Sequence, residues 1–92
     1  MKSIVQDKKE CLVCKTTLGL HKHHVFFGRG LRQISDKNGF WVWLCGRHHN
    51  LSNEGVHFNK ELDIEIKKLT QHRYEEEHSR TEFMRLIGMN FL

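Results

Sequence analysis

Apolar residues in the first half of the chain fall in two short runs separated by turn residues. The first run, residues 21–27, mixes histidine with valine and phenylalanine and ends at a glycine. The second run, residues 40–44, holds five consecutive apolar residues directly after Asn38-Gly39, a strong turn signal. Because β-branched and aromatic residues favour strands, the pattern predicts a β-hairpin. Its two strands are joined by a loop over residues 31–39 that has room for a helical turn.

The hydrophobic spacing changes after Gly46 from that of a strand to that of a helix. Residues 47–53 contain no β-branched residue and predict two helical turns that break at Gly55. Leu62, Ile66 and Leu69 then follow the i, i+4, i+7 spacing of an amphipathic helix. This helix is expected to begin at Lys60, with Asn59 as its N-cap, and to reach Glu77 or His78.

The two ends of the chain carry weaker signals. Ser79-Arg80-Thr81-Glu82 matches a capping box and predicts a last short helix that ends at Gly88, after which residues 89–92 fold back as an apolar tail. Residues 3–5 are a candidate short strand. The expected fold class is α+β, in a single domain over residues 1–92. Residues 11–57 form its core, and residues 58–92 form a C-terminal helical extension.

The chain is short for a protein that depends on apolar burial alone. It has 92 residues, of which 38% are hydrophobic, and small scaffolds of this kind often add a metal or disulfides. No apolar run approaches the roughly 20 residues that span a bilayer. Residues 1–10 lack the apolar segment of a signal peptide, so we expect a cytoplasmic protein with no membrane partner.

The cysteines indicate a metal site rather than a disulfide framework. The chain has three of them, an odd number, and Cys11 and Cys14 form a C-x2-C pair. Cys45 and His48 form a C-x2-H pair, so two pairs together supply the four N/S ligands that a structural Zn²⁺ requires. Binding of the ion would add to folding free energy. His49 in place of His48, with C-x3-H spacing, remains open as the fourth ligand.

Six of the eight histidines lie between His21 and His57, which is more than packing explains. Side chains alternate along a strand, so His23 and His24 point to opposite sides and only one of them is expected to bind a given metal. His23 from the strand and His49 from the following helix form a candidate pair of ligands for a second metal. Asn53, four residues after His49 on the predicted helix, and His57 are alternative third ligands.

Positive charge is concentrated in the same half of the chain as the histidines. Residues 1–50 carry nine basic residues against three acidic ones, whereas residues 51–92 carry six against eight, within a total of +4. A positive surface around a metal suits a polyanion such as nucleic acid. Ordinary solvated lysines are an equally good explanation of the charge alone.

The combined pattern over residues 11–57 resembles the HNH endonuclease family, the ββα-metal nucleases. His23-His24-Val25 matches the His-bearing strand of that family, and Cys45-Gly46-Arg47-His48-His49-Asn50 matches the start of its helix, with His48 where a second cysteine usually stands. Besides His48, the chain departs from the family in a second respect, since the strand over residues 40–44 has no asparagine and Asn38 lies two residues too early. More loosely, the chain is similar to small HNH proteins of bacteriophages, some linked to recombination.

The resemblance implies a metal-dependent nuclease that acts on DNA phosphodiester bonds. His24 would be the general base that activates water, and His23 and His49 would hold a divalent ion such as Mg²⁺, Mn²⁺, Ni²⁺ or Zn²⁺ that offsets charge on the transition state and leaving group. Arg29, Arg32 and Arg47 are candidate phosphate contacts, with solvated loop charge as the alternative for each.

Partners and location follow from the same resemblance. A phage or recombination complex is a possible larger assembly, and the location would be the cytoplasm of a bacterial host; the oligomeric state is left open. Two alternatives to the enzyme are a non-catalytic zinc module that binds nucleic acid or protein and a structural accessory protein. Neither of these alternatives requires His23, His24 and His49.

Overall fold

The fold is α+β, as predicted, in a computed structural model that describes residues 1–92. Its sheet has two antiparallel strands, and four helices accompany it. In chain order the elements are β1 (Leu20–His24), α1 (Leu31–Asn38), β2 (Trp41–Cys45), α2 (Gly46–His49), α3 (Lys60–Tyr74) and α4 (Arg80–Ile87). None of the helices combines the length and apolar character needed to cross a bilayer.

The register of the two strands gives the sheet two chemically different faces. His23 lies opposite Val42 and Lys22 lies opposite Trp43. Because side chains alternate along each strand, one face carries His21, His23, Val42 and Leu44, and the other carries Lys22, His24, Trp41 and Trp43. The first face is the more deeply buried one, since His23, Val42 and Leu44 are all buried. The hairpin therefore separates the adjacent residues His23 and His24.

The connection between the strands is an eight-residue helix, longer than the single helical turn that the sequence allowed within a loop over residues 31–39. Helix α1 is bounded by Gly30 and Gly39, both in the left-handed conformation. Its buried Ser35 donates its hydroxyl to the carbonyl of Phe26 at 2.7 Å, and the hydroxyl oxygen accepts from the Phe26 amide at 3.2 Å. Leu31 and Ile34, one helical turn apart, pack against the core. This contact with the core outweighs the modest helix propensity of the segment.

The predicted strand at residues 3–5 is wrong, although the segment lies alongside the start of β2. The Ile4 amide donates to the carbonyl of Gly39 at 3.0 Å, and the Ser3 hydroxyl donates to the carbonyl of Trp41 at 2.6 Å. One bond comes from a side chain, so the two segments share no regular ladder. The first strand also ends earlier than predicted, at His24 rather than Phe27.

The C-terminal helices begin where the capping residues predict. The Leu62 amide donates to Asn59 Oδ1 at 3.1 Å, and the Glu82 amide donates to Ser79 Oγ at 3.1 Å. Helix α3 ends at Tyr74, earlier than predicted. Residues 76 and 77 make the tighter i to i−3 hydrogen bonds that often close a helix.

Aromatic residues from both halves of the chain form the core. Phe26 contacts Phe40 and Phe83 with ring centroids 5.5 Å apart in each pair, and Tyr74 of α3 lies 5.3 Å from Phe40. The C-terminal tail folds back as predicted, because the Phe91 amide donates to Gln71 Oε1 at 2.8 Å and the Phe91 ring lies 5.6 Å from Phe26. This core supports the face of the hairpin that carries His23.

Candidate metal centres

Four cysteine and histidine side chains converge where the N-terminal loop meets the end of the hairpin. Cys11 and Cys14 come from the loop, Cys45 is the last residue of β2, and His48 lies on α2. One ligand atom from each lies within 4.8 Å of those of the others. The three cysteines are free thiols, and Cys14 Sγ and Cys45 Sγ are 3.7 Å apart, far beyond the roughly 2.05 Å of a disulfide.

The spacing of these atoms matches the edges of a tetrahedral zinc site. Zinc bonds of about 2.3 Å to sulfur and 2.0–2.1 Å to nitrogen imply edges of roughly 3.8 Å between two sulfurs and roughly 3.5 Å between sulfur and nitrogen. The Cys14–Cys45 edge is 3.7 Å, and His48 Nδ1 lies 3.7 Å from Cys11 Sγ and 3.3 Å from Cys45 Sγ. The cluster can therefore hold a metal ion such as zinc, with His48 rather than His49 beside the thiols.

Backbone hydrogen bonds fix the loop that carries the first two thiols. The Cys11 amide donates to the carbonyl of Thr16 at 2.8 Å, and the Lys15 amide donates to the carbonyl of Cys11 at 3.0 Å. Lys15 has a φ of 67°, the left-handed conformation that turns the chain back on itself. The Leu12 amide donates to the carbonyl of Trp43 at 2.9 Å, which attaches the loop to β2 beside Cys45.

The surroundings of the Cys11 thiol favour its thiolate form. Burial raises its pKa, but the backbone amides of Cys14, Cys45 and Val13 hydrogen-bond to the sulfur and lower the pKa to about 6. Burial, together with the neighbouring cysteines, raises the pKa of Cys45 instead. Cys11 can thus offer a thiolate near neutral pH, whereas a cation would have to displace the proton of Cys45.

A second cluster contains histidines only and lies on the other side of α2. His23 comes from β1, His49 from α2 and His57 from the loop before α3, and one ring nitrogen of each lies within 4.8 Å of those of the others. His49 Nε2 and His57 Nε2 are 3.1 Å apart, close to the roughly 3.3 Å edge of a tetrahedron with metal–nitrogen bonds of about 2.0–2.1 Å. A tetrahedral ion bound by these three histidines would keep its fourth coordination position open for water or substrate.

His23 carries a buried polar atom that no other protein group satisfies. Its side chain is buried, with 2% of the residue exposed, and its Nε2 atom is buried without a hydrogen-bond partner. Buried polar atoms are nearly always paired, because an unpaired one costs about 1–3 kcal/mol. Burial, and then the like charges of His49 and His57, lower the pKa of His23 to about 3. Its imidazole is therefore neutral and can act as a ligand.

His49 contacts His21, a residue that was not among the ligands predicted from the sequence. Its Nδ1 atom lies 2.9 Å from Nδ1 of His21, while its Nε2 atom faces His57. Burial, followed by His57 and His21, lowers the pKa of His49 to about 4, so this ring is also neutral. If Nδ1–H of His49 donates to His21, the Nε2 lone pair is free for a metal. The signal for His21 was present, since it lies two residues before His23 on the same face of the strand.

A short backbone pairing brings His57 back to α2. The Val56 amide donates to the carbonyl of His48 at 2.8 Å, and the His57 amide donates to the carbonyl of His49 at 3.2 Å. The predicted helix through Asn53 is thus wrong, since α2 ends at His49 and the chain reverses. Asn53 is exposed in this reversal, and the helical spacing that favoured it as a third ligand is lost.

His24 lies beside this cluster on the opposite face of β1. Its Nε2 atom is 3.3 Å from Oδ1 of Asp36 on α1, and the same oxygen accepts from Lys22 Nζ at 2.6 Å. Hydrogen bonds from Lys22 and then His24 lower the pKa of Asp36, which keeps its carboxylate ionised. Asp36 is a second residue that sequence reasoning missed, because the segment was expected to be a loop.

An open depression of about 430 Å³ joins His24 to the three-histidine cluster. Its lining comprises Lys22, His23, His24, Phe27, Arg32, His49, Asn50 and His57. We call this depression the histidine pocket. Of the three predicted phosphate contacts, Arg32 lines it. Arg47 instead pairs with Glu54 at 2.5 Å, and Arg29 lies in the exposed turn before α1.

Asn38, the nearest asparagine to the expected family position, lies away from this pocket. Its amide donates to the carbonyl of Ile34 at 2.8 Å, and its side chain lines a different depression with Met1 and Tyr74. No protein-family model, curated protein or solved structure matches the chain.

Proposed function

We propose that the chain is a metal-dependent endonuclease of the HNH, or ββα-metal, type that hydrolyses DNA phosphodiester bonds. The observation that carries the proposal is the orphaned Nε2 atom of buried His23, which points to a missing ligand where His49 and His57 converge. A non-catalytic zinc module would require only the thiol-rich cluster. The second, open cluster and its neighbour His24 favour catalysis.

The two clusters have the donor sets of two different kinds of metal site. Cys11, Cys14, Cys45 and His48 form a closed set of four, which is typical of a structural zinc ion. His23, His49 and His57 form an open set of three on the wall of the histidine pocket. When bound there, a divalent ion would supply positive charge to offset the charge that develops on the phosphate and the leaving 3′ oxygen.

His24 is the proposed general base. With Nε2–H facing Asp36, Nδ1 carries the lone pair that accepts a proton from water as the water oxygen attacks phosphorus. The bond from phosphorus to the 3′ oxygen breaks, and solvent returns a proton to that oxygen. The products are a 5′-phosphate and a 3′-hydroxyl. Lys22 and Arg32 line the same pocket and are the proposed contacts to the phosphate oxygens.

Nicking of a supercoiled plasmid tests this function. The zinc-loaded chain is incubated with Mg²⁺, Mn²⁺, Ni²⁺ or additional Zn²⁺, and relaxed and linear products are measured on a gel. We expect His24→Ala to lower the initial rate by about a hundredfold to ten-thousandfold, the contribution typical of a general base.

The matched control is His72→Ala. His72 is an exposed histidine on α3, outside the histidine pocket, and its removal should leave the rate unchanged. Equal rates for wild type and His24→Ala, or no nicking by wild type with any of the four metals, would show that the chain is not this nuclease. Retention of one tightly held zinc in that case would favour the non-catalytic zinc module.

A further inference from the structure

The outer face of the hairpin carries two tryptophans that the core does not use. Trp41 and Trp43 lie on the face of β2 opposite Val42 and Leu44, and both are only half-buried. Their ring centroids are 5.4 Å apart and their planes are nearly perpendicular, at 86°. We call this surface, formed by Trp41 and Trp43 with the lysines above them, the tryptophan face.

A lysine ammonium lies over each tryptophan ring. Lys22 Nζ is 4.5 Å from the Trp41 centroid, and Lys9 Nζ is 4.8 Å from the Trp43 centroid. Lys22 also pairs with Asp36, whereas Lys9 makes no salt bridge. The face thus combines aromatic rings with positive charge that is only partly neutralised. This combination suits a polyanion with flat apolar groups, which is the chemistry of a nucleic-acid strand.

The tryptophan face is continuous with the histidine pocket. Lys22 and His24 line that pocket, and in the strand register they stand opposite Trp43 and Trp41. Neighbouring strands are separated by only about 4.8 Å, so the rings lie one strand away from the pocket wall. A strand with a phosphate in the pocket can therefore pass over the edge of β1 onto the tryptophans.

We infer that the tryptophan face binds unpaired nucleotides of the strand whose phosphodiester bond lies in the histidine pocket. The inference rests on the proposed nuclease function for the role of that strand. It names the substrate class as single-stranded or locally unpaired nucleic acid, because the faces of paired bases are stacked inside a duplex. An unpaired base can stack on an indole, and the displaced lysine can then contact its phosphate.

Binding of short fluorescent oligonucleotides tests the inference without catalysis. The full chain, loaded with one zinc and free of other divalent ions, is titrated into labelled oligothymidine, oligouridine or a duplex, and fluorescence anisotropy and tryptophan quenching are recorded. We expect the single strands to bind at least tenfold more tightly than the duplex. The two single-strand probes distinguish DNA from RNA as the preferred strand.

Trp43→Leu and Trp43→Phe form the first pair of variants. Leucine keeps an apolar contact with the sheet but removes the aromatic face, so affinity for oligothymidine should fall roughly tenfold to a hundredfold. Phenylalanine retains an aromatic face and should restore most of that affinity. Lys9→Ala and Lys68→Ala form a second pair that does not perturb the sheet. Only Lys9→Ala should reduce the salt dependence of single-strand binding, by roughly 0.7 in the logarithmic slope.

Equal affinity for single strands and duplex would overturn the inference. So would wild-type affinity in Trp43→Leu, or identical salt slopes in the two lysine variants. These outcomes are separate from failure of the nuclease proposal. If the chain nicks plasmid but shows no preference for single strands, only the inference about the tryptophan face fails. If the chain binds single strands through Trp43 but never nicks DNA, the tryptophan face stands as a binding surface and the nuclease proposal fails.

Discussion

At the scale of single residues, the most informative pair is His48 and His49. They are adjacent in sequence, yet His48 lies with the three thiols and His49 lies with the other histidines. Consecutive residues on an α-helix point about 100° apart, since a turn holds 3.6 residues, so one short helix can supply ligands to two centres. The same geometry explains why sequence reasoning left either histidine open as the zinc ligand.

Replacement of His21 by alanine tests whether it orients His49. The variant loses the partner of His49 Nδ1, so the ring is free to rotate away from the second metal site. We expect affinity for Ni²⁺ at that site to fall about tenfold to a hundredfold, the usual cost of removing a group that orients a ligand. Isothermal titration of Ni²⁺ into the zinc-loaded chain measures this change.

His72→Ala serves again as the comparison, and the zinc content of both variants should stay at one ion per chain. If His21→Ala binds Ni²⁺ as wild type does, the contact between His21 and His49 has no part in ligand positioning. If zinc is lost as well, the effect of the substitution is on folding rather than on the second site.

At the scale of elements, the short helix α2 depends on its surroundings. It has four residues, too few for a helix that is stable by itself. Cys45 and His48 face the thiols of the N-terminal loop on one side of it, and the pairing with residues 56 and 57 holds the other side. The reversal that makes this pairing possible includes Gly55. A Cβ at that position would lie 2.7 Å from the carbonyl oxygen of His49.

Gly55→Ala should therefore damage the histidine cluster and spare the thiol-rich one. The added methyl group meets backbone atoms, which cannot rotate away, so the pairing that returns His57 to His49 must open. We expect the affinity for Ni²⁺ to fall roughly tenfold or more, as for other losses of ligand orientation, with one zinc retained. Titration calorimetry and metal analysis of the same samples provide the two readouts.

Asn53→Ala is the matched control, because Asn53 lies in the same reversal with an exposed side chain. It should bind Ni²⁺ as wild type does. The opposite result, a loss in Asn53→Ala and none in Gly55→Ala, would make Asn53 the third ligand and remove His57 from the site.

At the scale of the whole molecule, we expect stability to depend on a metal ion held by the thiol-rich cluster. The core holds only twelve buried apolar residues, and two of these are the proposed zinc ligands Cys11 and Cys45. Structural zinc sites contribute about 10–16 kcal/mol in small domains, while a typical domain is stable by only about 5–15 kcal/mol. Loss of the ion would therefore remove most or all of the stability of the fold.

Removal of zinc should abolish cooperative unfolding. We expect the chelated chain to lose its near-ultraviolet circular dichroism and its thermal transition, and to regain both when one equivalent of zinc is added. The same chelator already saturated with zinc is the control. A zinc-free chain that unfolds at the same temperature as the loaded one would show that apolar packing is sufficient.

The sequence alone predicted the features that depend on neighbouring residues. The caps at Asn59 and Ser79, the apolar second strand and the α+β class follow from local spacing and composition, and the structure confirms them. The C-x2-C and C-x2-H pairs were also visible, because metal-ligand spacing is a local property. The length of helix α1 was underestimated because its stability comes from contacts with the core, above all the Ser35 hydrogen bonds to Phe26.

Tertiary structure alone decided how the histidines divide between the two centres. Eight histidines in a sequence do not show which ring nitrogens converge. The strand register sets His21 and His23 on one face, and the reversal at Gly55 brings His57 to His49. Tertiary packing also placed Asp36 beside His24, and the strand register placed both tryptophans one strand away from the wall of the histidine pocket. These arrangements depend on contacts between residues far apart in the chain, which local sequence patterns do not encode.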